Sequence, residues 1–352
     1  MARIVVPVLD FARSGGSRVL SRLASEWQDM GHSVTVVTHR DTDAPYFPTK
    51  ADVEYVDSAG RLTERSRAGV VAPHIKVLAL RRSLGRIRPD VAVANHNLTA
   101  WSVASAPGIR RRLYYVQAYE PEYYHSGALG RRLVLSAAAR ATYHLPLTRL
   151  ANSPLYLRYR DLRCIDWIPP GVDLTTFSPR RHVGVASPVT VGCIGRKEVE
   201  KGTADVVDAF LRLRGEGVDA RLRVAYGNID QAVADRNDVD VVVPRDDGEL
   251  GDFYRSLDVL VAPGHLQLGA VHYPVLEGMA CGVPVIHTGY LPGTSNVSDV
   301  VPVKSPRAIA TMISHVLARP ASETQARLIA ARGVAEEYAW GATAQRWSRY
   351  FE

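Results

Sequence analysis

The chain has 352 residues, 46% hydrophobic and 22% charged, which is enough to build two domains that each bury a core. It begins MARIVVPVLDF without a signal-peptide pattern, and no apolar run approaches the roughly 20 residues that span a bilayer, so we expect a soluble, cytoplasmic protein. Cys164, Cys193 and Cys281 are scattered, which argues against a disulfide framework or zinc site and favours small core residues.

The net charge of +7 is divided unevenly along the chain. Residues 1–150 hold 21 Lys and Arg against 12 Asp and Glu, a balance of +9, which leaves −2 for the remainder. Arginines are densest at 81–88, 110–112 and 131–132. Such a surface either attracts an anionic acceptor or the inner membrane face, or is an ordinary solvated surface. Zinc-finger spacing and RNA-binding aromatics are missing from these clusters, so nucleic acid is not an expected partner.

Short β-rich apolar runs alternate with helical patterns, which is typical of parallel sheets flanked by helices. The first series of predicted strands lies at 4–8, 33–37, 53–56, 91–94 and 113–116. The second series lies at 189–194, 220–225, 239–243, 259–262 and 283–286. We therefore predict an α/β protein with an N-terminal domain at 1–170, a Pro-, Gly- and Ser-rich linker at 171–188, and a second domain at 189–335.

The first helix is predicted to follow the phrase Ser14-Gly15-Gly16-Ser17 and to end at Gly31. Serine is a favourable N-cap and glycine a favourable C-cap, so the sequence specifies both ends.

The segment GCIGRKEVEKG predicts a strand, then a loop with Arg196 and Lys201, then a helix after Gly202. The whole chain has only five lysines, so Lys201 beside Arg196 does not reflect general abundance. A strand-to-helix loop with a guanidinium, an ammonium and free backbone N–H groups is suited to a diphosphate. The alternative is a solvated loop in which these cations pair with Glu198 and Glu200.

The segment VLEGMACGVPVI predicts a helix that places Glu277 among apolar neighbours. An ionised carboxylate is rarely placed there without a partner, and ribose hydroxyls could supply one. The alternative is a carboxylate that merely stabilises a helix N-terminus.

Together the glycine loop, the phrase PPGVDLTTF, the GR…KG pair and VLEGMACGVPVI resemble retaining glycosyltransferase family 4. The resemblance covers nearly the whole chain. It implies the GT-B architecture, in which two Rossmann-like domains face each other across a cleft. It also implies that a last helix, within 336–352, crosses back to the N-terminal domain.

By this resemblance Arg196 and Lys201 bind the donor diphosphate and Glu277 binds the ribose. Gly15 and Gly16 would let the backbone approach the donor, because glycine has no Cβ to obstruct it. Arg245 and the Tyr226-Gly227 turn are candidates for contacts with the base, since they follow predicted strands.

The sequence departs from the family pattern at two places. The family has two glutamates eight residues apart, and Gly269 stands where the first is expected, so His272 or Tyr273 is a candidate substitute. Gln117 stands where many members have a histidine near the reacting sugar. The phrase YYVQAYEPEYYHSG is similar to the rhamnosyltransferase branch of rhamnan and S-layer-glycan synthesis, which implies a dTDP-activated deoxysugar such as L-rhamnose.

Gln117, Tyr119 and Glu120 follow a predicted strand, and ligands of α/β sheets bind at the carboxyl ends of strands. They are therefore candidate substrate contacts. The alternative is a tyrosine-rich surface between domains.

The family mechanism requires neither a metal nor another cofactor, since the leaving phosphate acts as base and cations stabilise its charge. Two Asp-x-Asp triplets, at 41–43 and 238–240, are interpreted as turns. Three alternatives remain open: a sugar-nucleotide 2-epimerase, a non-catalytic nucleotide-sugar-binding or scaffold protein, and a nicotinamide-dependent oxidoreductase. Against the last, DFARSGGSRVL lacks Gly-x-Gly-x-x-Gly spacing.

Overall fold

The computed structural model describes residues 1–12, 14–66, 69, 71–124, 128–179 and 187–352. They form two units, of which unit 1 is Met1–Gly171 with Trp340–Glu352 and unit 2 is Val172–Ala339. None of the described helices is long and apolar enough to cross a lipid bilayer.

In unit 1 the described strands form one sheet in the order β4-β3-β2-β1-β5-β6-β7-β8, parallel except for the β3–β4 pair. The strands are β1 (Arg3–Pro7), β2 (Ser33–His39), β3 (Asp52–Val56), β4 (Leu62–Thr63), β5 (Val91–Ala94), β6 (Arg111–Val116), β7 (Thr148–Ala151) and β8 (Asp166–Trp167). The helices before the chain crosses to unit 2 are α1 (Gly15–Asp29), α2 (Pro73–Ile87), α3 (Asn97–Ser105) and α4 (Leu129–Thr142).

In unit 2 the described strands form a parallel sheet in the order β11-β10-β9-β12-β13-β14. The strands are β9 (Val189–Ile194), β10 (Ala220–Ala225), β11 (Val239–Val242), β12 (Val259–Ala262), β13 (Val285–His287) and β14 (Asp299–Val300). The helices are α5 (Thr203–Gly215), α6 (Gln231–Ala234), α7 (Asp247–Arg255), α8 (Tyr273–Ala280), α9 (Pro306–Ala318) and α10 (Ala321–Glu336).

Helix α11 (Trp340–Phe351) belongs to unit 1. Trp347 is fully buried, with its ring centroid 5.1 Å from that of Trp27 on α1 and 5.0 Å from that of Tyr115 on β6. Aromatic packing therefore ties the end of the chain to the first domain that the chain builds.

Each unit buries its own core, because β-branched strands pack against the apolar faces of helices. In unit 1 the buried cluster includes Val5, Leu80 and Tyr114. Unit 2 has one buried cluster that includes Phe210 and another that includes Met279. Both units match the Rossmann-like α/β class predicted from the sequence.

The segment predicted as a linker, 171–188, largely belongs to unit 2 where it is described. Phe177 is fully buried in the core of unit 2, and its carbonyl accepts a hydrogen bond from Arg332 Nη1 at 3.0 Å. The chain passes from unit 1 to unit 2 between Gly171 and Val172. Residues 180–186 lie outside the described part of the chain.

The three cysteines are free, with Cys193 and Cys281 fully buried and Cys164 partly buried. Burial raises the pKa of each thiol to about 12, so all three stay protonated at neutral pH.

Candidate functional site

The candidate donor site of unit 2 lies at the carboxyl end of β9. The order in which strands are added to the sheet reverses between β9 and β12. Strands β10 and β11 extend the sheet on one side of β9, and β12 to β14 extend it on the other side. Ligands of parallel sheets bind in the crevice that such a switch point leaves outside the strand ends. Arg196 and Lys201 both follow β9 and precede α5 at this switch point.

Hydrogen bonds close the β9–α5 loop onto the start of α5. The Arg196 N–H donates to Thr203 Oγ1 at 2.9 Å, and this hydroxyl donates to the Arg196 carbonyl at 3.2 Å. Lys201 ends a 3₁₀ turn two residues before α5 begins. The Arg196 side chain is 53% exposed, and its Nε lies 3.8 Å from the Glu198 carboxylate. Two cations and the N–H groups of a helix N-terminus thus meet at one strand end, an arrangement suited to a diphosphate.

Both glycines of the GR…KG phrase are required by close backbone contacts. A Cβ on Gly195 would lie 1.7 Å from the Gly227 carbonyl oxygen, and a Cβ on Gly202 would lie 2.4 Å from the Pro263 carbonyl oxygen. Gly202 also has a φ of 72°, in the left-handed region that favours glycine. The phrase therefore positions the loop between neighbouring strand ends.

His265 is a site residue that the sequence reasoning missed. Its backbone N–H donates to the Glu200 carbonyl at 2.8 Å, and its ring Nε2 lies 2.6 Å from Asp205 Oδ2. These contacts fasten the loop after β12 to the loop after β9 and to the first turn of α5. Its place just after a strand at the switch point is the sequence signal that could have found it.

Glu277 lies on α8 and is only 2% exposed. Its Oε2 accepts a hydrogen bond from the hydroxyl of buried Tyr254 at 2.9 Å. Burial and the nearby Glu277 charge raise the pKa of Tyr254 well above 10, so this hydroxyl stays a donor. Tyr254 is thus a protein partner for the buried Glu277 carboxylate. The contact of Glu277 with a ribose stays a prediction.

His272 stands at the N-cap position of α8 without a side-chain capping hydrogen bond, and it is partly buried, with its ring stacked on Tyr290 at a centroid distance of 4.3 Å. Burial, and then the charges of Lys201 and Arg196, lower the pKa of His272 to about 3. The ring is therefore neutral beside the two cations. Within the described part of the chain, its Nδ1 has no hydrogen-bond partner.

Tyr273 follows as the first residue of α8 and is partly buried. Gly269, where the family has a glutamate, has a φ of +84°, and a Cβ there would meet nothing within 4 Å. The site thus has room for a side chain at 269, but the backbone conformation disfavours one.

The two candidates for contact with the base differ in setting. Tyr226, Gly227 and Asn228 follow β10 with consecutive φ angles of 66°, 66° and 60°. Arg245 is 85% exposed and pairs with Glu249 one helical turn further on. The tight turn thus lies beside Gly195, whereas Arg245 is a surface residue in an i,i+4 ion pair.

In unit 1 the order in which strands are added to the sheet reverses between β1 and β5. Gly15 and Gly16 lie in the first turn of α1, which begins three residues earlier than predicted and is capped by Ser14. A Cβ on Gly16 would lie 3.3 Å from the amide of Gln117, so the structure brings these two predicted site residues together. Nothing lies within 4 Å of a Cβ on Gly15.

Tyr119 and Glu120 are held by contacts within unit 1. The Tyr119 hydroxyl donates to Asp161 Oδ2 at 2.8 Å. Glu120 is 3% exposed, and its carboxylate accepts hydrogen bonds at 2.6 Å from both the Asn97 N–H and the Tyr114 hydroxyl. This geometry favours a positioning role for Glu120 at the N-terminus of α3 over direct substrate contact.

His96 is a second residue that the sequence reasoning missed. It follows β5 at the switch point of unit 1, and its side chain is 31% exposed. Burial lowers the pKa of His96, although the Asp10 carboxylate opposes the shift. Its Nε2 lies 4.0 Å from Glu120 Oε2. Its Nδ1 accepts a hydrogen bond from the Leu98 backbone N–H at 3.2 Å, so the neutral ring carries its proton on Nε2 and can donate a hydrogen bond from there.

The Asp-x-Asp triplets are engaged in ion pairs. Asp41 lies within 2.9 Å of both His39 and Lys76, and Asp240 lies 2.8 Å from Arg223. Asp238 lies 3.2 Å from Arg214 and 2.8 Å from Arg236. No group of three or more His, Cys, Asp or Glu suited to a metal occurs among the described residues.

Most of the arginines in the two clusters before α4 donate to backbone carbonyls. Arg112 donates to Val103 and Ala106 at the end of α3, and Arg81 donates to Ser105 nearby. The other such bonds join Arg82 to Ser58, Arg86 to Ala59 and Arg110 to Glu352.

Two Rossmann-like units, each with its loops at a switch point, define a protein of the GT-B type. Residues 14–159 match the family Glycosyl transferase 4-like domain, and residues 188–319 match the family Glycosyl transferases group 1. The matched segments together take in most of the chain. The chain therefore belongs to the GT-B glycosyltransferase superfamily.

Individual relatives belong to the same class. The chain is 30% identical, over 193 residues, to the GDP-mannose-dependent alpha-(1-6)-phosphatidylinositol dimannoside mannosyltransferase of Mycobacterium tuberculosis, covering 49% of this chain and 48% of that protein. It is 28% identical, over 256 residues, to the D-inositol 3-phosphate glycosyltransferase of Kineococcus radiotolerans, covering 62% and 58%. The chain thus spans about half the length of these curated relatives.

Among solved structures, Anabaena HepE in complex with UDP-glucose superposes with a TM-score of 0.72 over 99% of both chains. The sequence identity is 15%, so this likeness shows the fold. The comparisons support the superfamily, and the rhamnosyltransferase branch stays a prediction.

Proposed function

We propose that this protein is a retaining glycosyltransferase that moves a sugar from a nucleoside-diphosphate donor to an acceptor hydroxyl. The observation that carries the proposal is the meeting of Arg196, Lys201 and the N-terminus of α5 at the carboxyl end of β9. Membership of a glycosyltransferase superfamily supports the same chemistry.

In the proposed reaction the acceptor oxygen attacks the anomeric carbon from the face that the diphosphate leaves. The bond from that carbon to the phosphate oxygen breaks, and the acceptor proton passes to the leaving phosphate. Arg196, Lys201 and the N–H groups of α5 stabilise the charge that develops there. Loss of one such donor costs on the order of 10²–10³ in turnover.

The donor sugar and the acceptor have several candidates, which experiment must distinguish. One relative is named for GDP-mannose, HepE binds UDP-glucose, and the Gln117 phrase favours a dTDP-activated deoxysugar such as L-rhamnose. An anionic, glycan or small-molecule acceptor fits the basic N-terminal half. D-inositol 3-phosphate, for which one relative is named, is a first acceptor to try.

The test is thermal-shift stabilisation by UDP, GDP and dTDP and their sugars, in EDTA, of the wild type, Lys201→Gln and Lys304→Gln. Lys304 is an exposed lysine of unit 2 outside the candidate site and serves as the matched control. A diphosphate at about 100 times its Kd adds about 2.7 kcal/mol to the stability of the protein that binds it. We expect this stabilisation in the wild type and Lys304→Gln, and its loss in Lys201→Gln. Equal stabilisation of all three would overturn the assignment of Lys201.

Product analysis separates the proposed function from its alternatives. NMR of the stabilising nucleotide sugar, incubated with and without acceptor, should show a new glycoside with retained anomeric configuration only when acceptor is present. Epimerisation without acceptor would identify a sugar-nucleotide 2-epimerase. Binding without turnover across the acceptor panel would identify a non-catalytic binding protein.

A further inference from the structure

Two loops at the carboxyl edge of the unit 2 sheet, one after β12 and one after β13, are hydrogen bonded to each other. The Gly269 N–H donates to the Gly289 carbonyl at 2.8 Å. The Leu291 N–H donates to the Ala270 carbonyl at 2.9 Å, and the Leu291 carbonyl accepts from the His272 N–H at 2.9 Å. The turn after β13 therefore sets the position of the His272 backbone.

A buried histidine holds this turn. His287 is the last residue of β13 and is fully buried. Its Nδ1 accepts hydrogen bonds from the N–H of Gly289 at 3.1 Å and from that of Tyr290 at 2.9 Å. Because Nδ1 is the acceptor, Nε2 carries the proton and donates it to Ser298 Oγ at 2.8 Å. Burial lowers the pKa of His287 to about 4, although the Asp299 charge opposes the shift, so this arrangement persists at neutral pH.

Tyr290 is the side chain of this turn that contacts His272. Tyr290 is 3% exposed, and its ring is stacked on the His272 ring with an angle of 19° between the two planes. The Tyr290 hydroxyl donates to the Leu266 carbonyl at 2.6 Å. A Cβ on Gly264 would lie 2.1 Å from this hydroxyl, so glycine at 264 makes room for it. The Tyr290 ring is thus fixed at both ends, and it fixes the plane of the His272 ring.

The surroundings of His272 decide which ring nitrogen carries the proton. The Nδ1 atom is buried, and in the described part of the chain it has no hydrogen-bond partner. Buried N–H groups without an acceptor are rarer than buried acceptors without a donor, so the proton belongs on Nε2. The His272 ring therefore offers one uncharged N–H donor, near enough to Lys201 and Arg196 for their charges to act on it.

The strand order places His272 relative to the other candidate donor contacts. The sheet runs β10-β9-β12-β13 at this point. The Tyr226-Gly227 turn follows β10, Arg196 and Lys201 follow β9, and His272 lies beyond these cations on the side of β12 and β13. In a nucleotide sugar the diphosphate joins the base to the sugar. A diphosphate at the two cations, with its base toward β10, therefore brings the sugar to His272.

We propose that His272 determines donor specificity by donating its Nε2–H to an oxygen of the donor sugar, and that Tyr290, held by His287, positions it. A donor sugar without an oxygen at this place leaves the N–H unpaired, which weakens its binding. The inference rests on the proposed function, and it adds the residue that reads the sugar to those that bind the diphosphate.

The test compares nucleoside diphosphates with their nucleotide sugars, because only the latter reach His272. Isothermal titration of the full chain gives the Kd of UDP, GDP and dTDP and of UDP-glucose, GDP-mannose and dTDP-L-rhamnose. His272→Ala should bind the preferred diphosphate as the wild type does, and should bind its nucleotide sugar roughly tenfold more weakly. His272→Gln, whose amide N–H stands near the place of the Nε2–H, should bind both within about twofold of the wild type.

The positioning role of Tyr290 is tested by coupling. Tyr290→Leu removes the stacked ring and should weaken the nucleotide sugar about as much as His272→Ala does, whereas Tyr290→Phe keeps the ring and should bind more tightly than Tyr290→Leu. In the His272→Ala background Tyr290→Leu should cost nothing further, because Tyr290 acts through His272. Phe210→Leu is the matched control, since Phe210 is fully buried in the other core cluster of unit 2. It should lower the unfolding midpoint and leave both Kd values unchanged.

Equal weakening of the diphosphate and the nucleotide sugar in His272→Ala would make His272 a phosphate contact and overturn the inference. Unchanged binding of the nucleotide sugar in that variant would overturn it as well. A full, additive loss from Tyr290→Leu in the double variant would refute the positioning role. If none of these compounds binds the wild type, the proposed function itself fails, so the two failures are told apart by the wild-type titrations.

Discussion

The buried carboxyl of Glu120 makes the stability of the folded protein depend on pH. Burial raises the pKa of its carboxyl from 4.5 to about 7, although hydrogen bonds from Tyr114 and the Asn97 N–H oppose the shift. The Tyr114 pKa is itself raised well above 10, first by burial, so this hydroxyl remains a donor. Near neutral pH the folded protein therefore holds a proton that the unfolded chain has released.

This difference predicts a pH-dependent cost of folding. Between about pH 4.5 and 7 the unfolded chain loses the Glu120 proton and the folded chain keeps it, so the free energy of unfolding falls as pH rises through this window. Below the window and above it the contribution is constant. Relative to Glu120→Gln, the wild type should lose roughly 3 kcal/mol at most across the window.

Urea unfolding followed by circular dichroism, at several pH values, measures this difference. Glu122→Gln is the matched control, since Glu122 is exposed two residues away. The difference in the free energy of unfolding between Glu122→Gln and the wild type should be the same across this pH window. A Glu120→Gln difference that is equally flat would contradict the raised pKa.

At the scale of elements, α11 completes unit 1 from the far end of the sequence. Trp347 packs against Trp27 and Tyr115, and Phe351 lies with its centroid 5.2 Å from that of Trp27. Without this helix the faces of α1 and β6 that it covers would be open to water. The aromatic cluster of Trp27, Tyr115, Trp347 and Phe351 is therefore complete only when the end of the chain, beyond unit 2, has been synthesised.

Trp347→Ala should destabilise unit 1 by about 3–5 kcal/mol, the range for emptying a fully buried tryptophan site. Trp101→Ala on α3 is the matched control, because Trp101 is 37% exposed and should lose much less. The measurement is the unfolding midpoint in urea, read by far-ultraviolet circular dichroism. Equal losses from the two changes would show that α11 does not stabilise the unit.

Four observed strands were not predicted from the sequence, namely β4, β7, β8 and β14. Of these, β4, β8 and β14 have two residues each and lie at sheet edges, whereas β7 lies between β6 and β8. Such short edge strands carry no alternating pattern and form because a neighbouring strand offers hydrogen-bond partners. The longer central strands, such as β9 and β12, were predicted at their observed ends because buried β-branched runs mark them.

At the scale of the whole molecule, the sequence predicted the sheets and the loops that follow them but not the contacts between loops. The 1.7 Å approach of a Gly195 Cβ to the Gly227 carbonyl joins residues 32 positions apart, and no local pattern reports it. The His265–Asp205 contact likewise depends on β9 and β12 being neighbours in the sheet, although α5, β10, α6, β11 and α7 separate them in the sequence. Topology, which sequence patterns constrain only weakly, decides which loop residues meet.

Whether sugar transfer needs a metal depends on which charges are available to the donor diphosphate. The carboxylates of the Asp-x-Asp triplets already pair with cations, including Asp238 with Arg214 and Arg236. The departing diphosphate would instead be neutralised by Arg196, Lys201 and the N-terminus of α5. Transfer from the donor that the nucleotide panel identifies should therefore be unchanged by EDTA, and added Mg²⁺ or Mn²⁺ should change it by less than about twofold.

Two variants make this expectation specific to the residues. Asp240→Asn should transfer sugar at the wild-type rate in EDTA, because the Asp240 carboxylate pairs with Arg223 across the β10–β11 pair and lies outside the candidate site. Arg196→Ala should lose on the order of 10²–10³ in turnover while keeping the wild-type unfolding midpoint, since its exposed side chain supplies charge and little packing. Inactivation by EDTA that Mn²⁺ restores, together with loss of activity in Asp240→Asn, would instead show a metal site at the triplet.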